Sequence, residues 1–297
     1  MTTAIVEGML AGLENIWGCW DELLDTLKTP EDWAQAHGDQ WTLADAPYHM
    51  MYTDRDLVAA ALLRGPNVPE SEQRVQRTLG DLNEWNTSKF AHRPQGQTPD
   101  QSVMEWRAAR ADVRRAFQAL HDEDLQSKTV WFPLAGCGWV PASFAAGFGL
   151  AHNWSEFMQL RYHMARTAPE PDATATHGAL GFLQGYFPIY MDAKAANGVR
   201  FTLLLEYPGL GGGAWTIRVA DGTASLTEER VARPDLTITQ DPETFELIRQ
   251  GKLNPGAAMR NGRLQIKPIH RVGTFGALFG PPPLDKQFEP MGAHGLG

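Results

Sequence analysis

The residues of this chain with the clearest capacity for chemistry are His152 and Glu156, which stand four positions apart in a predicted helix. Side chains at positions i and i+4 share one face of an α-helix, so an imidazole and a carboxylate can point together here. The two cysteines, Cys19 and Cys137, fit neither a disulfide framework nor a CxxC metal site, and we interpret both as core residues.

Several other functional classes are excluded or disfavoured by the sequence. The glycine-rich run 209–213 has no Lys-Ser/Thr after it, which favours a loop over a phosphate-binding motif, and there is no GxSxG elbow. The net charge is −9 without a basic stripe, so nucleic acid is not expected as a partner. No apolar window is long enough for a transmembrane segment, and residues 1–8 lack the basic start of a secretory signal, which predicts a cytoplasmic protein.

The N-terminal half has the hydrophobic periodicity of helices. Apolar residues follow one another at alternating steps of three and four, which predicts one long amphipathic helix: Val6, Met9, Leu13, Ile16, Trp20, Leu23 and Leu27. Further long helices are predicted at 45–63 with Asp45 as N-cap, at 98–120 and at 142–165, with a shorter one near 78–90. Four long amphipathic helices indicate a four-helix bundle over residues 1–168.

The C-terminal half has a different pattern. A proline-containing stretch at 169–177 is predicted to be a linker, 178–280 a small α/β domain, and 281–297 a flexible tail. Alternating or continuous apolar runs predict strands at 200–207, 215–219, 236–239 and 264–266, with a tight hairpin turn at Asp221-Gly222. Helices are predicted after Asp241-Pro242 and over 255–260. The chain is thus expected to have two domains, an all-α bundle and an α/β domain.

The order of motifs in this second domain resembles the sterol carrier protein 2 family. The matching residues are Gly212–Ile217 with Asp221-Gly222, Pro234–Ile238, Phe245 with Gly251–Pro255, and Asn261–Ile266. The resemblance implies a curved, mainly antiparallel sheet around an apolar tunnel for a sterol, a lipid or an acyl chain, with the C-terminal segment as a lid. The residues expected to contact such a ligand are Phe201, Leu203, Leu205, Trp215, Ile217, Phe245, Phe275 and Phe279.

The first half resembles the DinB-like bundles, a group that includes the mycothiol-dependent maleylpyruvate isomerases. Trp41, Asp45, His49 and His152 carry the resemblance, which implies a divalent metal held by His49, His152 and Glu156. Two imidazoles and a carboxylate suit Zn²⁺, Ni²⁺ or Fe²⁺, and such an ion could activate a low-molecular-weight thiol or water. The alternative is that the two histidines pair with Glu156 or Asp45 without a metal.

Three functions are consistent with these features. The one that the sequence favours is binding or carriage of a lipid, sterol or other apolar ligand by the second domain, with the bundle as a docking partner or as the contact of a homodimer. The alternative is a metal-dependent, thiol-using isomerase or transferase whose site in the bundle faces the second domain. The third is an interaction module in which both sites are vestigial.

Overall fold

The fold is described from a computed structural model that covers residues 4–37, 41–76, 78–134, 137–164 and 168–280. The predicted flexible tail, 281–297, lies outside the described residues. Within the described ranges, no helix is long and apolar enough to cross a membrane.

The N-terminal half is helical, as the periodicity predicts. The helices are α1 (Ala4–Leu24), α2 (Pro30–Trp33), α3 (Ala46–Tyr52), α4 (Ala60–Arg64), α5 (Leu79–Ala91), α6 (Pro99–Gln118), α7 (Asp124–Ser127) and α8 (Ala142–His163). The predicted second helix is present but not uniform, because a π-helical segment, Thr53–Ala59, joins α3 to α4. Single π turns inside α-helices occur frequently at functional sites.

Two short hairpins in this half were not predicted. Strands β1 (Ala36–His37) and β2 (Trp41–Thr42) precede α3, and β3 (Thr129–Phe132) and β4 (Gly138–Pro141) precede α8. Runs of two to four residues are too short for a clear two-residue alternation, so the sequence pattern does not reveal them. The β2 strand matters for function because it places Trp41 beside the start of α3.

The C-terminal half is an α/β unit with one five-stranded sheet. Its elements are α9 (Ala173–Ile189), α10 (Ala193–Ala196), β5 (Phe201–Tyr207), β6 (Gly213–Ala220), β7 (Thr223–Thr227), β8 (Leu236–Gln240), α11 (Pro242–Arg249), α12 (Pro255–Arg260), β9 (Leu264–Lys267) and α13 (Val272–Phe279). The strand order is β7-β6-β5-β8-β9, and only the β5/β8 pair is parallel. The mainly antiparallel sheet is as predicted.

Helix α9 differs from the sequence prediction. It begins inside the segment assigned to the linker, where the Asp172 side chain accepts a hydrogen bond from the Ala175 backbone N–H at 2.8 Å and caps the helix. Residues 173–177 are therefore helical, and the predicted domain boundaries stay a prediction. Because α9 packs against α1 and α8 on one side and against β6 and β7 on the other, it contacts both halves of the chain.

Small residues allow α8 and α9 to approach closely. A Cβ atom at Gly147 of α8 would stand 2.4 Å from the Phe182 ring, and one at Gly178 of α9 would stand 2.7 Å from Leu150. Glycine at both positions therefore lets the two helices pack at short range. This close packing positions α9 against the helix that carries His152 and Glu156.

A buried polar network fixes α8 within the bundle. Asp54 accepts hydrogen bonds from Trp106 Nε1 and Asn153 Nδ2, both at 2.8 Å, and Asn153 Oδ1 accepts one from Trp17 Nε1 at 2.9 Å. The Arg110 guanidinium lies 3.9 Å from the centre of the Trp106 ring. Burial raises the pKa of Asp54 to about 6, although hydrogen bonds from Trp106 and Asn153 and the charge of Arg110 act to lower it.

Stability should therefore depend on pH through Asp54. The folded carboxyl binds a proton more tightly than the unfolded one, so the free energy of unfolding falls as pH rises from about 4 to about 6. A rise from 3.8 to about 6 corresponds to about 3 kcal/mol. In urea titrations across this pH range, the free energy of unfolding of Asp54→Asn should lack the part of the pH dependence that Asp54 causes. An unchanged slope in the variant would show that other groups cause the pH dependence.

Candidate metal centre

The three predicted metal ligands come together between α3 and α8. His49 lies on α3, and His152 and Glu156 lie one turn apart on α8, with their ligand atoms all within 4.8 Å of one another. His49 Nε2 is 3.1 Å from His152 Nε2, which in turn is 3.8 Å from a Glu156 carboxylate oxygen. Two zinc–nitrogen bonds of about 2.0–2.1 Å at a tetrahedral angle place the nitrogens about 3.3 Å apart, so the spacing suits an ion.

The loop before α3 orients His49. Asp45 was predicted to be the N-cap of this helix, but its side chain makes no capping hydrogen bond. Its carboxylate instead accepts hydrogen bonds from the Thr42 backbone N–H at 2.8 Å and from Arg93 Nη1 at 2.7 Å. Asp45 therefore anchors the β2–α3 junction, and the Trp41 ring lies 4.6 Å from the His49 ring.

A tyrosine and an asparagine set the tautomer of His49. Tyr52 donates its hydroxyl proton to Asn86 Oδ1 at 3.0 Å, so its oxygen is left to accept a proton from His49 Nδ1 at 2.6 Å. With the proton on Nδ1, the lone pair of His49 is on Nε2 and points at His152. Such outer partners orient metal-binding histidines and raise their basicity. The i, i+3 spacing of His49 and Tyr52 is visible in the sequence, but the partner Asn86 on α5 is not.

Removing the tyrosine hydroxyl should weaken metal binding. Tyr52→Phe leaves the His49 Nδ1 proton without its acceptor, and loss of an outer-shell partner typically costs about 10–100-fold in metal affinity. Competition with a chromophoric chelator measures that change directly. Tyr48→Phe is the matched control, because Tyr48 lies on the same helix and donates to the Lys89 carbonyl instead. Equal affinities for the two variants would contradict this role of Tyr52.

The surroundings of His152 keep it in the neutral form. Burial lowers its pKa, an effect that Arg249 adds to and the Glu156 carboxylate opposes. Its ring stacks on Phe148 at 5.3 Å with an angle of 21° between the planes. Within the described ranges, its Nδ1 atom is buried and has no hydrogen-bond partner. A neutral imidazole with Nε2 directed at His49 and Glu156 is the form that binds a metal ion.

The three ligands open into a cavity of about 620 Å³ between the bundle and the α/β unit. On the bundle side the wall includes Trp41, Trp85, Asn86 and Phe148. On the opposite side it is formed by α9 with the Tyr190 that follows it, by α11 and by α13, through Phe182, Leu183, Tyr186, Phe187, Tyr190, Phe245, Arg249 and Phe279. A mostly apolar cavity with a few converging polar groups is the usual form of a small-molecule site.

The residues predicted to contact an apolar ligand fall into two groups in the structure, those at the cavity and those in the core around the sheet. Phe245 and Phe279 line this cavity, whereas Phe275 packs beside it, with its ring 6.1 Å from that of Phe187. The other five are buried in the core around the sheet and do not line the cavity: Phe201, Leu203, Leu205, Trp215 and Ile217. The α9 residues of the wall were missed because α9 was not predicted as a helix.

A buried cluster of charges joins α11 to α8 at the edge of the cavity. The Glu246 side chain is 0% exposed and accepts hydrogen bonds from Arg249 at 2.6 and 2.8 Å. Ser155 on α8 donates its hydroxyl proton to Glu246, and Gln250 Nε2 donates to the Ser155 carbonyl at 3.0 Å. This cluster holds Arg249 beside Glu156, in a position that the sequence could not indicate.

Comparisons with known families agree with this two-part architecture. Residues 13–159 match the model of the DinB superfamily, and residues 191–267 match that of the SCP-2 sterol transfer family. The chain joins a DinB domain to an SCP-2 domain. The metal-ligand group thus lies within the DinB match, and the facing wall of the cavity includes Phe245 and Arg249 from the SCP-2 match. A search of curated proteins gives no significant match.

Solved structures with the same arrangement include a mycothiol-dependent maleylpyruvate isomerase. It shares 14% identity with this DinB–SCP-2 chain, covering 90% of this chain and 96% of its own, with a TM-score of 0.51. A histidine-to-alanine mutant of that enzyme gives 13% identity, the same coverage and a TM-score of 0.52. A double mutant of the sec-alkyl sulfatase PisA1 shares 16% identity over 69% of this chain but only 30% of its own, with a TM-score of 0.32. The isomerase structures show a shared fold.

Proposed function

We propose that this DinB–SCP-2 protein is a metal-dependent enzyme that uses a low-molecular-weight thiol in an isomerisation or transfer reaction. The observation that carries the proposal is the position of the ligand group: His49, His152 and Glu156 open into a cavity that the SCP-2 domain covers. A structural metal would be enclosed by its ligands, whereas a catalytic one keeps an open coordination position. The fold shared with an enzyme described as mycothiol-dependent supports the choice of a thiol.

Each part of the site has a role in this proposal. A divalent ion such as Zn²⁺, Ni²⁺ or Fe²⁺, held by these three side chains, would supply Lewis acidity that favours the thiolate form of a thiol. His49 and His152 provide neutral nitrogen ligands, and Glu156 provides an anionic oxygen. The Tyr52–Asn86 pair holds His49 in the required tautomer. The aromatic walls limit access of water, which strengthens electrostatic interactions within the cavity.

The reaction class follows from the chemistry of a thiolate nucleophile. It forms a carbon–sulfur bond with an electrophilic carbon of the substrate. In an addition, the carbon–sulfur bond forms as a carbon–carbon π bond adjacent to an electron-withdrawing group breaks, and that group takes up the electron pair. In an isomerisation the π bond re-forms and the thiolate leaves unchanged, whereas in a transfer the neighbouring carbon takes up a proton and the carbon–sulfur bond remains in the product. Neither route consumes an oxidant or a reductant.

Metal content and thiol binding test the proposal together. The purified protein should contain about one divalent ion per chain, and the cobalt-substituted protein should show a sulfur-to-cobalt charge-transfer band when a small thiol such as cysteine is added. His49→Ala should lose both signals. Wild-type protein that binds no divalent ion, or cobalt protein whose spectrum does not respond to thiols, would refute this function.

A second candidate function, binding or carriage of an apolar ligand, is supported by the cavity walls. Within the described part of the chain, the cavity is lined by the side chains of these tryptophans, phenylalanines and tyrosines: Trp41, Trp85, Phe148, Phe182, Tyr186, Phe187, Tyr190, Phe245 and Phe279. Native mass spectrometry of protein purified under mild conditions would detect a co-purified lipid or sterol. The absence of bound lipid, together with no binding of fluorescent fatty acids at micromolar concentration, would remove this candidate.

A further inference from the structure

The apolar wall of the cavity is continuous with the metal-ligand group. Phe148 stacks on His152, and its ring centre is 6.5 Å from that of Phe182. Along α9, Phe182 lies 5.2 Å from Tyr186, which stacks on Tyr190 at 5.4 Å with an angle of 12° between the planes. A row of aromatic rings therefore leads from His152 along the SCP-2 domain, so an apolar group bound there would lie next to the metal ligands.

Among the described residues, Arg249 is the cationic side chain that lines this mostly apolar cavity. The Arg249 side chain is 41% exposed and lines the cavity, where its Nε and Nη2 atoms donate to Glu246 and Ser155. Its third nitrogen, Nη1, makes no hydrogen bond to any part of the chain that the structure describes. Arg249 lines the same cavity as His152 and Glu156 and is close enough to interact electrostatically with both, so the guanidinium lies near the metal-ligand group with donors left for a ligand.

The charges in this part of the cavity favour an anion. Glu246 and Arg249 form a pair in which the acid is buried, so the guanidinium is fixed in orientation rather than mobile. Glu156, Glu246, Arg249 and a divalent ion would together carry one net positive charge, and His49 and His152 are neutral ligands. The N–H groups of Arg249 Nη1 remain for a ligand, and a hydrogen bond between a guanidinium and a carboxylate is roughly twice as strong as one between neutral groups.

From these contacts we infer the substrate class, an inference that rests on the proposed function of the same site. The cavity takes an amphipathic organic acid, whose aromatic or similarly bulky apolar body packs along the ring row of α9 and whose carboxylate binds Arg249 next to the metal. The SCP-2 domain thereby acts as the specificity-determining wall of the DinB site. A small polar acid would leave the aromatic row without a partner, and a neutral lipid would leave Arg249 without one.

A set of three probes tests this assignment by isothermal titration of the zinc-loaded protein. We expect 4-phenylbutyrate to bind about tenfold or more tightly than either butyrate, which lacks the ring, or 4-phenylbutanamide, which lacks the charge. Arg249→Met alone would leave Glu246 buried without its partner, so the double variant Glu246→Gln/Arg249→Met is the form to test. It should lose the preference for the acid over the amide while still binding the amide.

Two controls make the result specific. Arg263 also pairs with an acid, Glu243, but outside the cavity. Arg263→Met should therefore leave the preference for the acid over the amide unchanged. Phe182→Ala should weaken the acid and the amide equally. Equal affinity for 4-phenylbutyrate and the amide, or for 4-phenylbutyrate and butyrate, in the wild-type protein would overturn the inference.

Metal content measured on the same samples separates this inference from the proposed function. Retained zinc without selectivity among the three probes counts against the substrate class alone. Selectivity that depends on Arg249 in a protein that binds no zinc supports the carboxylate site and counts against the metal-dependent function.

Discussion

Replacing His152 with alanine is expected to remove the metal ion from the protein. His152 is the central ligand, because its Nε2 atom is within 3.8 Å of both other donors. A site reduced to one imidazole and one carboxylate has only two ligands left for an ion that takes at least three from the protein in catalytic sites. The loss of metal affinity should exceed that expected for Tyr52→Phe, about 10–100-fold, because Tyr52 is only a hydrogen-bond partner of a ligand.

Elemental analysis after dialysis measures this effect, with zinc expected to fall from about one ion per chain to near zero. His177→Ala is the matched control, since His177 also stands between a carboxylate and an aromatic ring, at 3.1 Å from Glu228 and 5.2 Å from Trp215. Circular dichroism should show a folded protein in both variants. Full zinc occupancy in the His152 variant would mean that the metal binds elsewhere.

Replacing Arg249 with alanine is expected to destabilise the protein by about 3 kcal/mol. Glu246 is fully buried, and removal of its cation leaves a carboxylate with only the neutral donors Ser155 and Gln250. Breaking a buried pair from one side is costly, whereas replacing both partners by neutral groups is often close to neutral. The double variant Glu246→Gln/Arg249→Met should therefore be close in stability to the wild type.

Urea unfolding of the three proteins separates these effects. Arg263→Ala serves as the control for loss of a more exposed ion pair, and should change the free energy of unfolding by less than about 1 kcal/mol. If Arg249→Ala unfolds at the same urea concentration as the wild type, the Glu246 carboxylate is not held by Arg249 in solution. Since both residues of this α11 pair also bind Ser155 on α8, such a result would also weaken the account of how the cavity is formed.

Much of the fold could be predicted from the sequence in segments where the apolar residues follow a single helical or strand periodicity. The stripe from Val6 to Leu23 on α1 and the alternation around Trp215 on β6 each give one interpretation, because burial of one face selects the period, although the predicted helix extends to Leu27 and the observed one ends at Leu24. Helix α9 has no such stripe: its sequence is rich in alanine, glycine and threonine, and it is covered by the bundle on one side and by the sheet on the other. A helix in contact on two sides has no polar face to mark it.

For the candidate site, the sequence predicts the three metal ligands but not the residues that surround them. His49, His152 and Glu156 are all predicted through the family resemblance, and helical spacing places His152 and Glu156 on one face of α8. Asn86 and Arg249 act through contacts between elements far apart in the chain, from α5 to α3 and from α11 to α8. Such contacts depend on how the helices pack, which single-sequence patterns do not encode. The contacts between the two domains at the site are therefore seen only in the structure.

Anomalous diffraction at the zinc absorption edge, from crystals of the zinc-loaded protein, tests the central claim most directly. We expect one anomalous peak per chain, within about 2.0–2.2 Å of His49 Nε2, His152 Nε2 and a Glu156 oxygen, with an open coordination position towards the aromatic cavity. A peak coordinated by other residues, or no peak at these three side chains in crystals that contain zinc, would contradict the account.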